Sequence, residues 1–279
     1  MSSVAGLGSA AEAWVSDIWG VLHNGVTAFP PAADACVRYR RAGGIVVLVT
    51  NAPYPAAEVA GMLLRLGVPA EAHDAIVTSG DVTRRLIDRY RGGVVGHLGP
   101  ARYLGIFDGL DVRRAEAPAE GDAVVVTGLL HDERETPGDY RDRLAALRAR
   151  NLPMICANPD IVVERGHRLV YCAGALAEAY EQLGGTVLYA GKPHAPIYEV
   201  ALGLIHRVKG RTVPKAAILA IGDGIKTDIA GAGAMGLRSL FIASALSVPE
   251  GETLDAELLA GLFAGQPHPP IAAMTGLAW

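Results

Sequence analysis

An α/β protein with a mostly parallel sheet is predicted by three features of the chain. Short apolar runs rich in β-branched residues alternate with segments of helical periodicity, the order of elements that builds a sheet covered by helices. The runs are continuous rather than alternating, as strands buried on both faces are. Three of them end in polar side chains that burial does not explain, which points to a crevice at the carboxyl edge of the sheet.

The first run, Trp14-Val15-Ser16, leads into Asp17, and the second, residues 45–49, leads into Thr50 and Asn51. Ser79 is placed to cap a helix through Leu86 and Ile87 that stops at Gly92-Gly93. Residues 123–126 and 154–156 read as strands. Between them Tyr140, Leu144 and Leu147 recur at helical spacing until Pro153 ends the pattern. Residues 174–183 form a further helical segment, 187–189 a strand, and 196–208 a helix opened by proline and closed by Gly210. The last clear strand, 217–221, runs into Gly222-Asp223-Gly224. Near the C-terminus, Pro267, Pro269 and Pro270 forbid regular structure.

With 279 residues, the chain can bury one large core or two moderate ones. Hydrophobic residues make up 51% and charged residues 19%, the composition of a folded domain rather than a disordered chain. The net charge is −4 with no basic block, so no nucleic-acid backbone footprint exists and the expected partner is a small molecule. Cys36, Cys156 and Cys172 lack C-x-x-C spacing, so they are expected to be reduced and mostly buried rather than disulfides or zinc ligands. The first residues carry no basic leader, and no apolar run approaches the roughly 18 residues of a spanning helix. A soluble cytoplasmic enzyme without membrane contact is therefore expected, and the sequence is compatible with a homodimer.

Neighbouring strands of an open parallel sheet direct their carboxyl ends at one crevice, so Asp17, Thr50-Asn51 and Asp223 are expected to converge. Carboxylates beside a hydroxyl and an amide suit a hard cation and a phosphoryl group. Each element has an ordinary reading of its own: an Asp after a strand forms turns, and Asn-Ala-Pro is a common exit from a strand. Asp223, however, sits in GDGIKTDIAGA, where Asp228 follows five residues later. A helix cap explains one of those two acids but not both.

The set Asp17-Ile18-Trp19-Gly20-Val21, Val49-Thr50-Asn51, Gly191-Lys192-Pro193 and Gly222-Asp223 with Thr227-Asp228 resembles the four motifs of the haloacid dehalogenase (HAD) superfamily in their usual order. Ala157-Asn158-Pro159-Asp160 and Gly174-Ala175-Leu176 are similar to the cap segments of subclass IIA, the NagD-type group with nucleotide, pyridoxal-phosphate and nitrophenyl-phosphate phosphatases. The resemblance runs from about Val15 to about Ile242. It implies a Rossmann-like parallel-sheet core carrying an inserted α/β (C2-type) cap. About 140 residues separate Asn51 from Lys192, far beyond a compact-core connection, so a second domain is expected there. Its expected extent is 93–186, with 1–92 and 187–279 as the hydrolase core.

The resemblance also implies roles. Asp17 is the nucleophile that forms an aspartyl-phosphate. Thr50 and Lys192 hold the phosphoryl oxygens, and Asn51 orients that pocket. Mg²⁺ is bound by Asp17 and Asp223 and by the backbone carbonyl of Trp19, with Asp228 in support. Substrate choice falls to the cap, where Asn158, Asp160 and Arg168 are the candidates. The charged segment 131–135 reads as a solvated loop, because its one histidine has no second ligand at metal spacing.

One position departs from the family. Its phosphatases carry a second aspartate, an acid/base group, two residues after the nucleophile, and this chain has Trp19 there. General acid–base catalysis is worth about 10²–10⁴-fold, roughly 3 to 5 kcal/mol. The expected activity is a Mg²⁺-dependent phosphatase of small phosphorylated metabolites. Trp19 leaves other readings open: cleavage of another bond, an activated phosphate that needs no acid, His23 as a substitute proton donor, or a catalytically weakened phospholigand-binding protein.

Overall fold

The computed structural model describes residues 1–165, 168–244, 247–248 and 252–279. Among these, thirteen strands follow one another: β1 (Ala13–Ser16), β2 (Ile45–Thr50), β3 (Ala75–Thr78), β4 (Val94–Leu98), β5 (Arg113–Arg114), β6 (Ala123–Val126), β7 (Met154–Cys156), β8 (Val162–Arg165), β9 (Arg168–Tyr171), β10 (Val187–Tyr189), β11 (Ile218–Gly222), β12 (Arg238–Ile242) and β13 (Ala272–Met274). They build a six-stranded sheet in the order β13-β12-β11-β1-β2-β3, a five-stranded sheet in the order β10-β7-β6-β4-β5, and a β8–β9 hairpin.

In the six-stranded sheet β1 lies parallel between β11 and β2, with Ser16 in register with Ile221 and Leu48. Every residue of β1, β2 and β11 is buried, which is why their sequences read as unbroken apolar runs. The strand order reverses at β1, so the carboxyl ends of β1, β2 and β11 define a topological switch point, where ligands bind in such sheets. Beneath it Trp14 is fully buried and stacks on Tyr39 at 4.0 Å and 5°, fastening the helix Pro30–Arg41 to the sheet. Tyr39 donates its hydroxyl to the Ala11 carbonyl at 2.8 Å. Its ring also occupies the space a β-carbon on Gly44 would need.

The five-stranded sheet is parallel at each pairing. Its core gathers Leu98, Val126, Tyr140, Leu144, Leu147, Met154, Leu176 and Tyr180, with the helices Arg141–Ala149 and Ala173–Gln182 supplying the apolar stripes. The chain divides into two compact units, one of residues 1–50, 59–77 and 198–279, the other of residues 51–58 and 78–197. These bounds differ from the 93–186 insertion expected from sequence. The second unit also takes in the helix Ser79–Ile87 and β10, the latter because β10 pairs with β7.

Several local boundaries shift by one residue. Thr78, not Ser79, caps the helix, its hydroxyl accepting from the Asp81 amide at 2.9 Å. The last expected strand begins at Ile218, because Lys215–Ala217 forms a tight helical turn. The three cysteines are free and buried, and desolvation pushes the Cys36 and Cys156 thiols up to about 12, so neither is a reactive thiolate. No helix among the described residues is long and apolar enough to cross a membrane.

Candidate active site

Asp17 is placed by the sheet. Its amide donates to the Ile221 carbonyl at 2.8 Å, extending the β1–β11 ladder one residue beyond Ser16. Its carboxylate accepts from the Ile18 amide at 2.7 Å, and the residue is buried. This bond fixes the direction of the carboxylate.

Two glycines make room for its neighbours. Gly20 has φ +81°, and a β-carbon there would collide with the Asp223 carboxylate, so both the turn and the approach require glycine. A β-carbon on Gly222 would likewise strike the Asp228 carboxylate. Asp228 rides on a wide helical turn, Ile225–Ile229, its carboxylate accepting from the Gly224 amide at 3.2 Å and the Thr227 hydroxyl at 3.3 Å. Tyr198 donates to the carbonyls of Thr227 and Asp228, both at 3.3 Å, bracing the turn.

Asp17, Asp223 and Asp228 thus each present a carboxylate oxygen within 4.8 Å of the others. Three like charges this close repel unless a cation shares them, and an all-oxygen donor set suits a hard divalent ion such as Mg²⁺. Thr50 ends β2 in a buried position.

The next residue, Asn51, opens a network within the second unit. Its side-chain amide donates to Asp160 at 2.9 Å and to the Lys192 carbonyl at 3.1 Å, while its oxygen accepts from the Lys192 amide at 2.7 Å. A β-carbon on Gly191 would collide with that oxygen. Lys192, 3% exposed, is therefore fixed at its backbone by Asn51. Asn158 accepts from the Asp160 amide at 3.0 Å and shapes the turn that presents Asp160. Sequence placed these residues separately, in a phosphate pocket and a cap; the structure joins Asn51, Asp160 and Lys192. Arg168 lies at the exposed start of β9.

Trp19 is half-buried and meets His23 edge-on at 5.2 Å. Gly25, at φ +87°, leaves space for the indole. His23 is buried, its Nδ1 accepts from the Gly25 amide at 2.8 Å, and desolvation lowers its pKa from 6.5 to about 4. The ring is thus neutral near pH 7 and a weak proton source, which counts against it as a replacement acid. The 131–135 segment is a turn with His131, Glu133 and Arg134 exposed, the solvated loop expected, within which Asp132 pairs with Arg102 and Arg165 and Glu135 accepts from the Tyr140 hydroxyl. Sequence reasoning missed the bracing role of Tyr198, whose place in the expected 196–208 helix did not signal it, and quoted Thr227 only as part of the fourth motif.

The chain matches the family described as Haloacid dehalogenase-like hydrolase over residues 14–113 and that described as HAD-hydrolase-like over residues 189–269. It is 47% identical to a crystal structure of a haloacid dehalogenase-like hydrolase from Brucella suis, with all of both chains covered and a TM-score of 0.88. The chain belongs to the haloacid dehalogenase-like hydrolase family. This HAD hydrolase is also 26% identical to a glycerol phosphate phosphatase from Mycobacterium tuberculosis in complex with magnesium. That likeness covers 90% of this chain and 74% of the other, with a TM-score of 0.65. A p-nitrophenyl phosphatase from Archaeoglobus fulgidus, 18% identical, shares the fold with a TM-score of 0.71, covering 95% of this chain and 96% of its own. No curated protein matches the HAD hydrolase.

Proposed function

We propose that this HAD hydrolase is a Mg²⁺-dependent phosphatase of small phosphorylated metabolites that works through an aspartyl-phosphate on Asp17. The convergence of Asp17, Asp223 and Asp228 at the end of buried strands carries the reading, because a fold-only role needs no such set. The magnesium-bound and phosphatase relatives support it. Asp17, Asp223 and the Trp19 carbonyl would hold Mg²⁺, with Asp228 in support, and the ion when bound would neutralise charge at the phosphoryl group.

An Asp17 carboxylate oxygen attacks phosphorus and forms an acyl-phosphate (mixed anhydride) bond as the bond to the leaving oxygen breaks, and the departing oxyanion takes its proton from solvent. Thr50 and Lys192 hold the phosphoryl oxygens, and Asn51 positions Lys192 through its backbone. Water then attacks the aspartyl-phosphate, releasing inorganic phosphate and restoring the carboxylate. Asn158, Asp160 and Arg168 face substrate choice in this reading.

A second reading is favoured by Trp19 and by the neutral His23: the enzyme prefers leaving groups that depart without a proton, such as phenolates or carboxylates. A panel of alkyl, aryl and acyl phosphates assayed with Mg²⁺ tests both readings, with Asp17→Asn as control. Turnover lost in the variant supports the nucleophile, and equal rates in the two proteins remove it. Aryl and acyl phosphates outrunning alkyl esters by far more than their intrinsic reactivity supports the second reading.

A further inference from the structure

Beyond the Asn51 network, the second unit carries a cluster of charge and aromatic surface with no part in the scheme above. Tyr54, three residues after Asn51, meets the ring of Tyr103 at 4.8 Å. The guanidinium carbon of Arg102 lies 4.8 Å from the centroid of that same ring. Arg102 and Arg165 both reach Asp132 Oδ2, at 2.5 and 2.9 Å, and Arg165 adds a second contact to Oδ1 at 3.3 Å.

Two guanidiniums therefore share one carboxylate, and the group keeps an excess positive charge. Exposure follows the same division. The Asp132 side chain is 11% exposed, whereas those of Arg102 and Arg165 are 42% and 39% exposed. The counter-charge is sunk beneath and the donors are presented. Glu58 lies within electrostatic reach of the Tyr54 hydroxyl.

Both ends of the cluster are tied by short chain segments to the residues assigned to phosphate binding. Tyr54 belongs to the 51–58 segment that begins with Asn51. Arg165 ends β8, which starts two residues after Asp160, the hydrogen-bond partner of Asn51. The Cys172 thiol lies within electrostatic reach of Asp160, Arg165 and Asp132 alike.

We propose that Arg102 and Arg165, flanked by Tyr54 and Tyr103, bind a second anionic group, carboxylate or phosphate, of the phosphorylated substrate. The planar guanidinium fork matches either anion, and the tyrosine rings shelter one side of the contact from water. The inference rests on the phosphatase reading and narrows it to phosphomonoesters that carry a further acid. A brace between loops needs one Arg–Asp pair, whereas here two exposed guanidiniums converge on a single carboxylate.

The test uses binding, so that it does not depend on turnover. In full-length Asp17→Asn protein with Mg²⁺, calorimetry compares 6-phosphogluconate with sorbitol 6-phosphate and 3-phosphoglycerate with glycerol 3-phosphate, pairs that differ by carboxylate against hydroxymethyl. Fructose 1,6-bisphosphate against fructose 6-phosphate gives the phosphate arm. The acid-bearing member of at least one pair is expected to bind about tenfold more tightly, the worth of one charge-assisted hydrogen bond. Which arm shows the preference identifies the anion.

Adding Arg102→Gln should erase that preference while leaving the Kd of the neutral member unchanged, and Asp132 keeps its two contacts to Arg165 in that variant. Asp132→Asn should raise the preference, whereas a mere brace would lower Tm with no change in preference. Equal binding within all pairs, or Arg102→Gln weakening both members alike, overturns the inference alone. Binding of no phosphomonoester at all removes the phosphatase reading and the inference with it.

Discussion

The two sheets are made of similar parallel strands but equip their carboxyl ends differently. In the six-stranded sheet β1 and β11 run straight into Asp17 and Asp223 and β2 ends in Thr50, so the polar groups stand at the ends of paired strands, with the Asp17 amide itself bonded to the ladder. In the five-stranded sheet β4, β6 and β7 end in Leu98, Val126 and Cys156, and the polar groups come from loops that hold one another, as Asn51 holds Asp160 and Lys192. Where the backbone does the positioning, a side chain can be changed without loosening its neighbours. Where side chains position each other, chemistry and stability are coupled.

The widest separation of the two is expected at Asp17. Asp17→Asn should lower kcat by at least about 10³-fold while Tm in the absence of Mg²⁺ stays level or rises, because one of three mutually repelling carboxylates is neutralised. Steady-state kinetics with melting curves check both halves. A large fall in metal-free Tm would mean that Asp17 is a structural residue.

Asn51→Leu tests the opposite regime. It removes three hydrogen bonds and leaves the Lys192 amide and a carboxylate oxygen of Asp160 with altered surroundings. We expect about a hundredfold loss of kcat together with about 2 to 3 kcal/mol of stability. Denaturant unfolding beside kinetics measures the coupling, and a loss of activity at full stability would break the contrast.

Trp19→Asp probes what the register-built site lacks. Alkyl phosphate hydrolysis should rise about ten- to a hundredfold, with aryl phosphates changed less, since only the former leaving groups require a proton. A folded variant with no gain would mean that the indole shapes the pocket for another substrate.

Register also explains what could be read in advance. An apolar strand that stops at an acid is a local anomaly, and β1 and β11 carry one each, so Asp17 and Asp223 stood out within a few residues of sequence. Asp132 did not. Its partners Arg102 and Arg165 lie 30 and 33 positions away, and each of the three alone reads as a solvated charge. The same holds for β10, whose apolar triplet gives no hint that β7 is its neighbour. Thr78 and Ser79 are both able to cap a helix, and only the observed bond to the Asp81 amide separates them.

A titration in the second unit, which touches stability and leaves the chemistry alone, sharpens the comparison further. His97, on β4, contacts the Thr127 hydroxyl at 2.8 Å and meets Phe107 edge-on, and desolvation with help from Arg114 lowers its pKa from 6.5 to about 4. The folded state keeps the ring neutral where the unfolded chain would take a proton. Its contribution is therefore whole above about pH 6.5, falls as the pH drops, and is spent near pH 4. The shift is worth up to about 3 kcal/mol. His23, His73 and His194 are lowered in the same direction, so His97→Gln should flatten the decline between neutral pH and pH 4 without abolishing it. Urea midpoints of the metal-free protein across that window provide the measurement. An unchanged slope in the variant would show that His97 already carries its proton in the folded state, and that the loops of the second unit shelter it less than its surroundings imply.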